Sequence, residues 1–114
     1  MCNRYVCPDE AAIERYWQIG RRDQWQGQVE IFPRALGPFV RPNRETHERE
    51  LVVGQWGLIP FFAKSAKVTY STNNARFEEV ANKASYKQSW KHSRRCIIPA
   101  WSFDEPCWET GKNV

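Results

Sequence analysis

The sequence predicts an α+β domain, and three stretches carry that expectation. Residues 7–20, CPDEAAIERYWQIG, space their apolar residues as a helix does. Residues 51–60, LVVGQWGLIP, and 94–103, RRCIIPAWSF, are short apolar runs of strand length. Proline and glycine interrupt the chain so often that every element must be short.

The first helix has its signals at both ends. Pro8 suits a first turn, where a backbone donor has no partner, and Asp9 and Glu10 complement the positive end of the helix dipole. Ile13 and Trp17, four apart, share a face, and Gly20 suits the stop. From Val29 to Pro42, VEIFPRALGPFVRP offers short extended pieces, and NRETHERE after it is a polar loop. LVVGQWGLIP reads as a strand with a glycine kink, ended by Pro60. NARFEEVANKASYKQSW reads as one or two short helices, with Ser85 as cap and Tyr86 and Trp90 on one face. RRCIIPAWSF follows as a strand. CWETGKNV stops just after a Thr-Gly turn signal where a return strand is expected, so the sequence reads as an incomplete domain with Ile97 and Ile98 short of neighbours.

A chain of 114 residues supports one modest core. Six tryptophans are a heavy aromatic load, and such rings either pack that core or stack on ligands. The formal charge of +4 favours a polyanionic partner, although the signs are interspersed. The N-terminus has no basic-then-apolar signal peptide, and no apolar run approaches a membrane span, which points to a cytosolic protein. Cys2, Cys7, Cys96 and Cys107 are spaced C-x4-C and C-x10-C, unlike a zinc ribbon, so neither a metal nor a disulfide is expected.

The opening MCNRY is chemically distinctive. When Met1 is removed, Cys2 carries a free α-amine and a thiol on adjacent carbons, a pair that only an N-terminal cysteine has. The amine titrates at about 7.7–8.0 and the thiol at about 8.5, so a usable minority of each is nucleophilic at neutral pH. An amine condenses with an aldehyde to an imine, and the neighbouring thiol then closes a thiazolidine ring, aided by preset geometry. Asn74 in NNAR and Glu105 in FDEPCW are the other local candidates. Each has a plainer reading: Cys2 as a small buried side chain, Asn74 as a helix cap, Glu105 as a solvated turn carboxylate.

Taken in order, MCNRY, QWGLIPFFAK, NNARFEEV and SYKQSWKHSRRCIIPAWSFDE resemble the SRAP family, the SOS response-associated peptidase domain of bacteria, phages and eukaryotes. The resemblance spans nearly the whole chain. It implies antiparallel strands in a barrel-like double sheet with short peripheral helices, residues 1–114 being the N-terminal portion of a single such domain. It also implies recognition of abasic sites in single-stranded DNA and a covalent bond from Cys2 to the sugar aldehyde. In that reading Cys2 is the nucleophile, Asn74 a hydrogen-bonding partner and Glu105 the acid/base, while Arg4 and Arg76 hold phosphates. Arg94 and Arg95 extend the basic track, and Trp56 or Trp101 either stacks on a base or packs the core. A monomer without cofactor or metal is expected, cytoplasmic and nucleoid-associated when on DNA.

The chain departs from the family pattern at Asn3, where glycine is usual, and in AWSFDEP, where A-D-G-F-Y-E-W is usual. The family's H-D-R-M-P histidine has no counterpart, since His47 and His92 lie in other contexts. Two further readings stay open: a thiol peptidase using the N-terminal cysteine, and a non-catalytic module that binds single strands.

Overall fold

A computed structural model describes residues 2–21, 23–68 and 70–112. Among them run β1 (Arg4–Val6), α1 (Glu10–Trp17), β2 (Gly20–Arg21), β3 (Glu30–Ile31), β4 (Leu36–Pro42), β5 (Arg49–Gln55), α2 (Lys87–Lys91) and β6 (Ser102–Asp104). The α+β class holds. The strands form two three-stranded sheets, β3-β1-β6 and β2-β5-β4, and no closed barrel is found among the described residues. Every pairing is antiparallel except β2 with β5, which is parallel. With β4 folded back along one side of β5, the two residues of β2 line its other side in the same direction.

The α1 helix is fixed by its ends. Asp9 is its cap, its carboxylate accepting from the Ala12 N–H at 2.7 Å, which satisfies one of the orphan donors of the first turn. The helix ends at Trp17 rather than running to Gly20: Gln18 takes a left-handed conformation with φ 49°, and its N–H reaches the Glu14 carbonyl at 2.8 Å. Ile13 is wholly buried, and it joins Tyr5, Cys7, Trp25, Ile31, Val40, Leu51 and Trp56 in one core cluster. Trp56 packs edge-on to Tyr5, with ring centroids 4.9 Å apart at 84°. Trp56 is 8% exposed and belongs to the core cluster, so its reading as a stacking residue gives way to the core reading.

The polar loop joins β4 and β5 as expected. The Asn43 side-chain oxygen accepts from the Glu45 and Thr46 N–H groups, and its amide donates to the buried Glu50 carboxylate at 3.0 Å. Two prolines stand inside β4 without weakening its ladder to β5. Val40 exchanges both backbone hydrogen bonds with Ile97, at 2.8 Å each, so its polar groups point away from β5. Pro38 and Pro42 fall on the same alternation, and each lacks only an outward donor. Along this edge the contact with Ile97 is a single isolated bridge.

Further sequence expectations are corrected, the first being that the strand expected to run to Pro60 ends at Gln55. Residues 94–103 are not one strand, because the chain leaves the Ile97 bridge, turns at the buried Pro99 and rejoins as β6 beside β1, with Trp101 N–H donating to the Val6 carbonyl at 2.8 Å. Ile97 and Ile98 remain 49% and 41% exposed. Of residues 74–90 only α2 is α-helical, and consecutive turns fill 77–86. Ser85 does not cap α2: Tyr86 holds that position with no side-chain cap bond, and the Ser85 hydroxyl pairs with Tyr70 at 3.3 Å. Tyr86 is itself buried and donates to the Asn74 carbonyl at 2.7 Å, which pins the segment by its start.

Beyond β5 the core connects to the 72–74 stretch through Gly57. Its φ of 126° is one that a side-chain-bearing residue rarely adopts, and an added Cβ would meet the Thr72 hydroxyl at 3.3 Å. Gly57→Ala is therefore expected to destabilise the fold by about 1–3 kcal/mol, read from the midpoint of urea unfolding. An unchanged midpoint would show that the strained turn is dispensable.

Candidate active site

Cys2 lies just ahead of β1, half-buried against the core, and three distant parts of the chain meet it. The side-chain amides of Asn73 and Asn74 both donate to its main-chain carbonyl, at 2.9 and 2.8 Å. Asn74 is in turn fixed through its own carbonyl by the Tyr86 hydroxyl. Thr72 is buried, and its carbonyl accepts the Leu58 N–H at 3.2 Å, so the doublet projects from an anchored backbone.

The third part is the end of β6. Arg4 pairs with Asp104 across the β1–β6 ladder, and the Asn3 N–H donates to the Asp104 carbonyl at 3.1 Å. Glu105 follows at once, and its charge acts on the Cys2 thiol. Burial raises that thiol above its usual pKa, a backbone hydrogen bond at Arg4 opposes the rise, and the negative charges of Glu105 and Asp104 add to it. The thiol is thus held in its protonated form by desolvation and by two nearby carboxylates. Cys7, buried in the core, is pushed higher still, to about 11, chiefly by desolvation.

Arg4 sits between two carboxylates. Its Nη1 donates to Glu30 at 3.0 Å, and its Nε lies 2.6 Å from Asp104 Oδ2, a close charge contact rather than an aligned hydrogen bond. A phosphate at Arg4 would compete with both. Arg76 is exposed two residues beyond Asn74, and Arg94 and Arg95 are exposed past α2. The Arg95 guanidinium lies 4.3 Å over the Trp90 ring. Trp101 is 57% exposed and edge-on to Tyr16.

The structure brings together Cys2, Asn74 and the charge of Glu105. Sequence reasoning passed over Asn73, which holds Cys2 as closely as Asn74 does. The doublet in NNAR was the available signal, because two adjacent amides can converge on one carbonyl from a turn. Two shallow hollows, of about 240 and 450 Å³, are lined by residues that include Phe62, Val68 and Tyr70 in the first and Ala81, Lys87 and Trp90 in the second, and neither includes Cys2. Among the described residues no cluster of His, Cys, Asp and Glu could hold a metal ion, and no helix is long and apolar enough to cross a membrane.

Comparison with known proteins bears directly on this constellation. The model of the family described as SOS response associated peptidase (SRAP) matches residues 1–113. The chain belongs to the SRAP family. It is 31% identical over 98 residues to the abasic site processing protein HMCES of Xenopus tropicalis, covering 78% of this chain and 29% of that protein. It is 51% identical over 51 residues to the abasic site processing protein YobE of Bacillus subtilis, covering 45% of this chain and 23% of the other. A crystal structure of a Bordetella bronchiseptica protein superposes with a TM-score of 0.80 at 30% identity, covering 99% of this SRAP chain and 55% of that one. The chain thus spans less than a third of the length of these two curated relatives.

Glu105→Gln removes one of the negative charges that raise the Cys2 thiol, so the pH at which Cys2 becomes alkylated should move downward. Iodoacetamide labelling across pH, localised to Cys2 by peptide mass spectrometry, measures it. A midpoint that stays put or rises would detach Glu105 from the thiol.

Proposed function

We propose that this SRAP chain acts at abasic sites in single-stranded DNA and that Cys2, freed by removal of Met1, is the covalent nucleophile. Met1 lies outside the described residues. The observation that carries the reading is the double amide grip on the Cys2 carbonyl, which fixes the backbone of the residue that must present both amine and thiol. The names of the HMCES and YobE relatives support the same substrate class.

The α-amine of Cys2 gives up a proton to the Glu105 carboxylate and attacks the aldehyde carbon of the opened abasic sugar, forming a carbinolamine. The Glu105 carboxyl gives a proton to its hydroxyl, which leaves as water, and an iminium remains. The thiol sulfur then adds to the iminium carbon while its proton returns to the Glu105 carboxylate. The product is a neutral thiazolidine, and one water is released overall. A buried thiol held protonated needs a base at this second step, and a carboxylate whose charge reaches it fits that need. Asn73 and Asn74 do not titrate, so they act on geometry, keeping the amine and thiol in a near-attack arrangement. Arg76 anchors backbone phosphate, positioning the strand without reading its sequence.

Mixed with an oligonucleotide holding one abasic site, the protein should give an adduct that survives denaturing electrophoresis without borohydride. Cys2→Ala keeps an α-amine but no thiol, so its adduct should appear only when a reductant traps the imine. Asn73→Ala and Asn74→Ala should each slow formation without abolishing it, and Cys7, Cys96 and Cys107 should be dispensable. An undiminished, reductant-independent adduct in Cys2→Ala would sink the mechanism.

Binding to the strand should weaken with salt, and Arg76→Ala should reduce the slope of log affinity against log salt by roughly 0.7, one phosphate contact on a single strand. An unchanged slope would remove Arg76 from the phosphate track.

A further inference from the structure

We infer that Phe77, backed by Trp90 and Arg95, is a stacking platform for a base that neighbours the lesion in the same single strand. The inference rests on the proposed function and adds to it a subsite for an intact nucleotide. Phe77 is 80% exposed, and its ring meets Trp90 edge to face at 6.3 Å, which leaves it a face to the solvent. The Arg95 guanidinium lies over Trp90 at 4.3 Å, so cation, indole and phenyl adjoin one another, the two rings meeting edge to face. A single exposed phenylalanine is unremarkable on a protein surface. One braced by a cation-backed indole presents a rigid π-face, which is what base stacking needs.

Position and charge select the occupant. Phe77 is three residues beyond Asn74, so its backbone lies within about 11 Å of an asparagine that grips Cys2. A strand reacting at Cys2 therefore passes within reach of Phe77. Residues 76–95 hold six Lys and Arg against two Glu, so this stretch carries the whole formal charge of +4 and the rest of the chain balances to zero. Lys87 and Lys91 flank Trp90 at the mouth of the larger hollow. Glu79 lies at 4.0 Å from Lys83, within ion-pair range. An aromatic face inside a concentrated positive field matches the chemistry of a single nucleic-acid strand, whose bases stack and whose phosphates follow the lysines.

Fluorescence anisotropy with an undamaged oligothymidine strand tests this on the full chain. Phe77→Ala and Phe77→Leu should each weaken binding about five- to 150-fold, the range for losing one base stack, with the salt slope unchanged because stacking releases no counterions. Phe77→Trp should bind as well as the parent or better. Lys87→Ala with Lys91→Ala should flatten the slope by up to about 1.4, two phosphate contacts. Equal affinity in Phe77→Ala overturns the inference, as does full binding by Phe77→Leu, which keeps bulk but no π-face, or equal binding to poly-glutamate, which has charge but no bases. Undamaged DNA needs no Cys2 chemistry. A chain that binds it through Phe77 but forms no adduct overturns the proposed mechanism alone, and one that forms the adduct with Phe77→Ala affinity unchanged overturns this inference alone.

Discussion

Two side-chain amides on one carbonyl hold the candidate site together. Chain termini fray unless something ties them down, and Cys2 is tied by Asn73 and Asn74 from some seventy residues along the sequence. Each bond contributes only about 0.5–1.5 kcal/mol net. Their joint effect is geometric, because two donors converging on one oxygen leave the peptide little freedom to swing. The grip sets the thiol against the core, and Tyr86 steadies Asn74 in turn.

Charge pairing also orders the first sheet. Arg4 lies on β1 between Glu30 and Asp104, on the two strands that flank it, so the central strand of the first sheet is clamped by charge on both sides. These pairs are partly exposed, and their Coulomb contribution is accordingly modest. Their effect is on register, since the Arg4–Asp104 match is what delivers Glu105 to the neighbourhood of Cys2. A one-residue slip would turn every side chain of so short a strand to the opposite face.

Much of this was legible in the sequence where the signal was local. The α1 helix could be read from Asp9, Glu10 and the Ile13–Trp17 spacing, and its end was misjudged because Gln18, not Gly20, adopts the left-handed turn. The body of β5 was legible as an apolar run, although the strand ends at Gln55 rather than Pro60, and the loop before it was legible from its polar residues. Non-local choices were not. The parallel β2–β5 pair depends on where a two-residue segment lands after α1, and the break at Pro99 depends on which strand Ile97 finds. Cys2 and Asn74 could be singled out by their chemistry; the NNAR doublet pointed to a second amide, but its partner is set by the fold, because only the approach of the N-terminus brings the Cys2 carbonyl to Asn73. The two separate sheets in place of the implied barrel depend on long-range pairings, and the outward parity of Pro38 and Pro42 in β4 follows from the same register, which the sequence does not reveal.

Those prolines reach beyond the single molecule. An unpaired strand edge is a template on which another chain can lengthen a sheet, and it does so through a row of alternating donors and acceptors. On the outer side of β4 that row has gaps at Pro38 and Pro42, and the donor between them is taken by Ile97. A newly made or partly opened copy finds too few bonding groups there to dock in register. In a chain carrying so many exposed aromatic rings, that interrupted edge guards against fibrillar growth from the β4 side.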